Sequence, residues 1–389
     1  MPKLRSKFSA RVLDLEPSPI RDILAVIDRP GLISFAGGLP STDSFPDLDL
    51  LGMPPAQLQY GPTEGDPDLR AWIAADLCRV GLVCTAEQVL IVSGSQQGID
   101  LVAKLFIDPG TPIAVESPTY LAALQVFRFF GARLRSFAPT ATRDLTTLLQ
   151  GHAFAYAIPN FQNPTGHCFS SAERAVLAAA CDATQTPLFE DDPYRDLVYD
   201  PCDTRPVCAA IRRAPWIYQG SFSKSLAPGL RLGYLACSAE LMPYLVRLKQ
   251  AADLHSNRIS QWLVLQRLND RSYRAHIESL VVHYRRKRNL FERALRRTFA
   301  DLASWVSPPG GLFFWLQLHT ARPIDTRRLL PIAIERGVAF MPGEPFYPML
   351  VNYASAIRLN FSYANPGDFE RGLKILARLI AQHIPVDSG

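Results

Sequence analysis

Between residues 88 and 220, short apolar runs rich in β-branched residues alternate with helical spacing, and each run ends in small or polar residues. This alternation constrains the fold more than any other feature, because strands separated by helices lie parallel and are covered on both faces. Val89-Leu90-Ile91-Val92 is followed by Ser93-Gly94-Ser95-Gln96-Gln97-Gly98, then by Ile99, Leu101, Val102 and Leu105 at helical spacing. Free backbone N–H groups and the helix dipole at such a start make a cradle for an anion. Pro112 to Val115 leads into Glu116-Ser117-Pro118-Thr119-Tyr120 and a helix expected from about 121 to 130. Ala153 to Ile158 leads into Pro159-Asn160-Phe161-Gln162-Asn163-Pro164-Thr165-Gly166. Ser170 and Glu173 then form the reciprocal capping pattern that opens a helix, and Pro187-Leu188-Phe189 runs into Glu190-Asp191-Asp192-Pro193-Tyr194. Ligands collect at the carboxyl ends of strands in such sheets, which is where these clusters fall.

The richest cluster follows Trp216-Ile217-Tyr218. It is Ser221-Phe222-Ser223-Lys224-Ser225-Leu226-Ala227-Pro228-Gly229-Leu230-Arg231. One amine stands among hydroxyls, with an arginine seven residues on, which suits an aldehyde that carries a phosphate. A free lysine has a pKa of about 10.4, so a nucleophilic lysine needs cationic neighbours or desolvation; Arg231 is a candidate neighbour.

Before this region, Ser18 caps an expected short helix that carries Arg21. Ile33-Ser34-Phe35-Ala36-Gly37-Gly38-Leu39-Pro40 reads equally as an ordinary turn or as a place where something approaches the backbone. Tyr60-Gly61-Pro62-Thr63-Glu64-Gly65 is a rigid connector into a helix with Leu69, Trp72, Ile73 and Leu77 on one face. After residue 240 amphipathic helices are expected around 240 to 270 and 275 to 300, then β-rich runs at Pro308 to Leu316, Val338 to Met341 and Ala356 to Phe361. The expected fold class is α/β. A large domain, 45–275, has a mostly parallel sheet flanked by helices; residues 276–389 form a smaller α+β domain, to which the arm 1–44 contributes.

A formal charge of +5, with scattered basic residues, gives no nucleic-acid stripe. The densest patch, Arg285-Arg286-Lys287-Arg288, reads as the solvated face of a helix. Seven cysteines at 78, 84, 168, 181, 202, 208 and 237 show no zinc spacing. No metal is expected, and a reducing cytoplasm is the simplest location. No apolar run reaches the ~20 residues that span a bilayer, and no signal-peptide core follows the basic start.

Together the clusters supply an amine, an acid, hydrogen-bond donors, an aromatic ring and an anion cradle, the set that pyridoxal 5'-phosphate requires. Lys224 would bond to its aldehyde carbon, and Asp191 would hold the proton of the pyridine nitrogen. Tyr194 and Asn163 would hydrogen-bond the ring oxygen, and Tyr120 would stack on the ring. Ser95, Gln96 and the neighbouring amides, with Ser221, Ser223 and Arg231, would hold the phosphate.

The strings Ser95-Gln96-Gln97, Pro159 to Gly166, Glu190 to Tyr194 and Gly220 to Lys224 resemble the class I/II aminotransferases of fold type I, nearest the 2-aminoadipate/kynurenine branch. The likeness runs from Gly37-Gly38-Leu39-Pro40 to Arg358-Leu359-Asn360-Phe361. It implies that Asp191 rather than Asp192 is the ring acid, three residues before Tyr194. It also implies that Arg358 binds the substrate α-carboxylate beside Gly38, and that Tyr60 reaches the neighbouring subunit's cofactor phosphate in a homodimer. Arg21 either receives a distal substrate group or lies on a surface helix. Asp253-Leu254-His255-Ser256 resembles a segment near the interface, with no catalytic role.

The implied reaction is ping-pong transfer of an α-amino group to a 2-oxo acid, with 2-oxoglutarate as the expected acceptor. Donors would be 2-aminoadipate, glutamate, or an aromatic or branched apolar amino acid. Alternatives are a lyase, decarboxylase or cyclase of the same fold type, and a cofactor-binding regulator; the 36 residues before Gly37 are too few for the helix-turn-helix domain expected of the latter. Two departures leave side-chain preference open: Asp66, where relatives often carry a bulky residue, and the aromatic-rich loop from Pro342 to Ser355.

Overall fold

In the computed structural model the described residues are 7–13, 29–138, 145–349 and 355–383. The apolar runs become the strands β1 (Ile33–Ser34), β2 (Val89–Val92), β3 (Pro112–Glu116), β4 (Arg133–Phe137), β5 (Ala155–Ala157), β6 (Leu188–Asp192), β7 (Trp216–Ser221) and β8 (Gly233–Cys237). Strands β2 to β8 form one seven-stranded sheet in the order β2-β8-β7-β6-β5-β3-β4. All neighbours pair in parallel except β8, which is antiparallel to both β7 and β2. The expected α/β class with a mostly parallel sheet is therefore what forms.

Alternate residues feed two cores. Val89, Ile91, Ala155 and Leu188 face one layer, against Leu69, Ile73, Leu77, Leu177 and Leu265. Leu90, Val92, Tyr156 and Phe189 face the other, against Ile99, Val102, Phe127 and Leu245. The covering helices, in chain order after a short α1 (Ala10–Leu13), are α2 (Pro67–Arg79), α3 (Ser95–Phe106), α4 (Leu121–Phe129), α5 (Leu145–Leu149), α6 (Ser171–Thr184), α7 (Met242–Asp253) and α8 (Arg258–Asn269). Helix α2 begins at Asp66, whose carboxylate accepts from the amides of Asp68 and Leu69. Helix α6 carries the capping box expected of Ser170 and Glu173.

Instead of one long stretch from 240 to 270, the chain forms two helices, interrupted where Leu254 takes φ +67°. Beyond them stand α9 (Tyr273–Thr298), β9 (Ala303–Ser304), β10 (Phe313–Leu318), α10 (Leu329–Glu335), β11 (Val338–Ala339), β12 (Met341–Pro342), β13 (Ala356–Asn360) and α11 (Phe369–His383). β12, β13, β10 and β9 make a four-stranded antiparallel sheet, while β1 pairs in parallel with β11. Val338 to Met341 is thus two short strands rather than one, divided at the buried Phe340.

One expectation is corrected. The run Arg285-Arg286-Lys287-Arg288 is not wholly a solvated face, because α9 turns its last two members inward. Arg288 donates to Asp200 Oδ2 at 2.7 Å and to the carbonyl of Pro308 at 2.7 Å, over the ring of Tyr199. Lys287 donates to the carbonyl of Ser362, and burial depresses its pKa to about 8. Charge density does not report which side of a helix faces the core; here the acceptors on other elements decide it.

Candidate active site

Successive residues of a strand point to opposite faces, and this separates the two aspartates at the end of β6. Asp191 accepts from the Tyr156 hydroxyl and from Gln219 Nε2, both at 2.8 Å. Its pKa is raised to about 6 by burial, with the two hydrogen bonds pulling it back. Asp192 instead accepts from Asn160 Nδ2 and the Tyr218 hydroxyl on the other face, and burial pushes it up to about 8.

Lys224 follows the end of β7, and its Nζ donates to the carbonyl of Gly38 at 2.8 Å. Burial first, then the positive charges of Arg358 and Arg231, lowers its pKa to about 8. Four residues before this lysine the strand packs closely on a ring: a Cβ at Gly220 would lie 2.2 Å from the ring of Tyr234. Ser221 Oγ accepts from the amide of Ser223 at 3.2 Å. Arg231 adopts φ +48° and packs its guanidinium against Gly94, where a Cβ would approach it to 2.6 Å. Gly94 has φ +80° and immediately precedes Ser95, the first residue of α3. Gly233, the register partner of Ser221, would bring a Cβ within 3.2 Å of the Ser95 amide nitrogen. The start of α3, with Ser95 and half-buried Gln96 in its first turn, therefore meets the end of β7 and Arg231.

Opposite this sheet edge, Arg358 on β13 is buried. Its Nη1 donates to Asn163 Oδ1 at 2.7 Å and its Nη2 to the carbonyl of Ala36 at 2.6 Å, while its Nε has no partner. The guanidinium lies 4.2 Å from the centre of the Phe313 ring and 5.1 Å from that of Phe346. Desolvation pulls its pKa to about 10, and Tyr194 and Tyr120 oppose the shift. Tyr194 is buried edge-on to Phe313 and hydrogen-bonds Asn163; burial raises its pKa far above the usual phenol value. Tyr120 is pushed to about 12 by burial and then by Asp191, against the pull of Arg358 and Arg231. A Cβ on Gly38 would sit 3.3 Å from Phe313.

Nine of the expected site residues, Gly38, Ser95, Tyr120, Asn163, Asp191, Tyr194, Lys224, Arg231 and Arg358, therefore surround one space. Tyr60 lies apart, 75% exposed and edge-on to His255, and Arg21 is outside the described residues. Tyr156, Gln219, Phe313 and Phe346 were not anticipated. Gln219 had a signal, a lone amide within the apolar strand β7 and the register partner of Asp191; Tyr156 had none. Among the described residues no His/Cys/Asp/Glu group could hold a metal ion, and no helix is long and apolar enough to cross a membrane.

Pyridoxal 5'-phosphate fits this space on three counts. A helix start with an arginine across from it offers amides and charge to a dianion. A buried carboxylate, already oriented by two donors, can face a ring N–H, and an amine of lowered pKa stands where an aldehyde carbon can be reached. The Nε of Arg358 leaves one buried donor for an incoming carboxylate.

The family described as Aminotransferase class I and II matches residues 42–376. The chain is 36% identical over 367 residues to the 2-aminoadipate transaminase of Thermus thermophilus, covering 90% of each protein. It is 32% identical to aromatic-amino-acid aminotransferase 1 of Thermococcus litoralis, over 97% of this chain and 94% of that one. Its structure resembles the Pyrococcus horikoshii kynurenine aminotransferase solved with PMP, at TM-score 0.90 and 30% identity, covering 98% and 99% of the two chains. With the cofactor set assembled and these likenesses spanning nearly its whole length, the chain belongs to the aminotransferase class I and II family and is a pyridoxal 5'-phosphate-dependent aminotransferase.

Proposed function

We propose that this enzyme takes the α-amino group of a 2-aminoadipate-, glutamate-, aromatic- or branched apolar-type amino acid and delivers it to 2-oxoglutarate. The two half-reactions are ping-pong, so the donor's oxo acid leaves before the acceptor binds. The observation that carries this reading is Arg358, a buried guanidinium held by Asn163 and Ala36 with its Nε unspent. Such a planar fork suits a substrate α-carboxylate, with Gly38 alongside it.

Bound pyridoxal 5'-phosphate supplies an electron sink that stabilises negative charge at the substrate α-carbon. Asp191, oriented by Tyr156 and Gln219, would hold a proton on the ring nitrogen. Tyr194 and Asn163 would hydrogen-bond the ring oxygen, and Tyr120 would stack on the ring. Ser95, Gln96 and their amides, with Ser221, Ser223 and Arg231, would hold the phosphate. Lys224 Nζ, once neutral, takes the proton from the α-carbon. At a pKa of about 8 roughly a tenth of it is neutral at pH 7, against about one in a thousand for an ordinary lysine.

The remaining expectations stand as parts of the same proposal. The chain divides at about residues 44 and 275, works in the cytoplasm and forms a homodimer. Leu50, Leu51, Leu58, Tyr60 and Leu254 leave large apolar side chains exposed, a surface suited to a second copy, with Tyr60 reaching the partner's cofactor phosphate. Arg21 receives the distal group of the donor.

The test is a half-reaction screen: the cofactor's visible absorption is followed while single amino acids are added to the holoenzyme. Donors that bleach it are substrates, and Lys224→Ala should abolish transamination of all of them. Full activity in that variant would overturn the assignment. Loss of absorption without any 2-oxo acid product would favour a lyase, decarboxylase or cyclase. For Arg21→Ala, a selective loss with 2-aminoadipate and glutamate is expected; an equal loss with leucine would remove the role given to Arg21.

A further inference from the structure

Beside the anion cradle is a fully buried lysine that the reaction does not use. Lys249 Nζ donates to Gln97 Oε1 at 2.7 Å and to Ser256 Oγ at 2.9 Å, and lies 2.7 Å from Asp253 Oδ1. An ammonium has three N–H donors, and here each has an acceptor, Gln97 on α3 and, at and just past the end of its own helix, Asp253 and Ser256.

Towards the cradle, Gln97 lies in the first turn of α3, and its Oε1 also accepts the amide of Ser93 at 2.8 Å. Asp253 Oδ2 accepts from Gln97 Nε2 at 2.8 Å and from Ser93 Oγ at 3.0 Å. The turn that presents the Ser95 amide is thus held from behind by the acceptors of Lys249.

Towards the surface, Asp253 and Ser256 enclose the break between α7 and α8. There the amide of His255 donates to the carbonyl of Asp253 at 2.7 Å, and Leu254 between them has φ +67°, a conformation uncommon for a leucine. Leu254 stands exposed there, and the ring of His255 meets Tyr60 edge-on at 5.8 Å. Arg258, two residues past Ser256, donates to the carbonyls of Ala56, Gln59 and Tyr60 and fixes that segment. One buried charge therefore joins the back of the cradle to the edge that carries Leu254 and Tyr60. Removing any of its acceptors leaves an ammonium short of a partner in the interior, which is costly, so the two ends move together.

We propose that Lys249 is a positioning residue that couples filling of the anion cradle to the seating of a second copy of this chain on the Tyr60–Leu254 edge. The proposal rests on the homodimer reading above. A dianion at the Ser95 amide fixes the Ser93–Gln97 turn; through Lys249 it fixes the Asp253–Ser256 turn, and the apolar edge is then presented in one conformation. Coupling of binding is reciprocal, so dimerisation must tighten cofactor binding by the same factor taken over the two sites together, its square root at each.

The experiment is sedimentation of the full-length protein over a range of concentrations, as apoprotein and loaded with pyridoxal 5'-phosphate, for wild type, Lys249→Met and Asp253→Asn. The aspartate variant changes a partly exposed group and serves if Lys249→Met does not fold. In the wild type, loading should tighten subunit association by about tenfold or more, in the usual range of such couplings. In the variants that factor should fall severalfold, to the part that the direct reach of Tyr60 to the partner's cofactor phosphate supplies. A variant that weakens both cofactor and subunit binding but keeps the factor would make Lys249 merely structural and overturn the proposal. A wild-type dimer of equal affinity with and without cofactor would overturn the coupling and leave the dimer standing. A wild type that stays monomeric throughout would overturn the dimer reading and the coupling together.

Discussion

The amine of Lys224 is poised by surroundings that come from elsewhere in the chain. Burial and the charges of Arg358 and Arg231 hold its pKa near 8, so capture of pyridoxal 5'-phosphate by the apoprotein should quicken as pH rises through about 8 and then level off. In Arg231→Gln a neighbouring positive charge is gone, the ammonium form is less disfavoured, and the inflection should move to higher pH; stopped-flow absorbance reads both. At Asp191 the two donors favour the ionised carboxylate against burial. Tyr156→Phe and Gln219→Leu should each raise its pKa above about 6 and move the acid limb of the kcat profile to higher pH. A loss of about tenfold in kcat is expected at pH 7, in keeping with a net hydrogen bond to a charged group of about 1.5 kcal/mol or more. An unchanged acid limb in both variants would mean that Asp191 does not set it.

Among the elements, helix α2 shows how a local signal and its reading can part. Asp66 stands out in sequence at a place where relatives often carry a bulky residue, and its carboxylate caps α2 through the amides of Asp68 and Leu69. Asp66→Ala should lower stability by about 1 kcal/mol, measured as a shift of the urea midpoint at unchanged slope. The strands β2, β3, β6 and β7 and the polar clusters after them were legible because burial on both faces leaves continuous apolar runs and the turns need particular residues. The inward turn of Lys287 and Arg288 was not, since their acceptors, Asp200, Pro308 and Ser362, lie on distant segments. Nor was the break at Leu254: nothing in Asp253-Leu254-His255-Ser256 forbids a helix, and the interruption is held by Lys249 and Gln261, the latter donating to the carbonyl of Ser256 at 2.9 Å. Tyr156 was invisible for the same reason. Its hydroxyl has meaning only once β5 lies beside β6.

Across the whole molecule, buried acids make stability depend on pH. Glu116 is buried, accepts from the amide of Ile158 at 3.0 Å, and is raised to about 8 by desolvation. Its folded pKa lies above the unfolded value of about 4.3, so its contribution is complete below that value and drains away as pH rises through about 8. Each such group costs up to about 1.4 kcal/mol per pH unit within that window. Glu116→Gln keeps an acceptor for Ile158 and cannot ionise, so its urea midpoint should fall less between pH 5 and pH 8 than that of the wild type. Parallel slopes would exclude Glu116 as a source. The contact between Gly220 and Tyr234 has a consequence of another kind, for descent. Any side chain at residue 220 would displace a buried ring beside the lysine's strand, so single mutations cannot step through alternatives there.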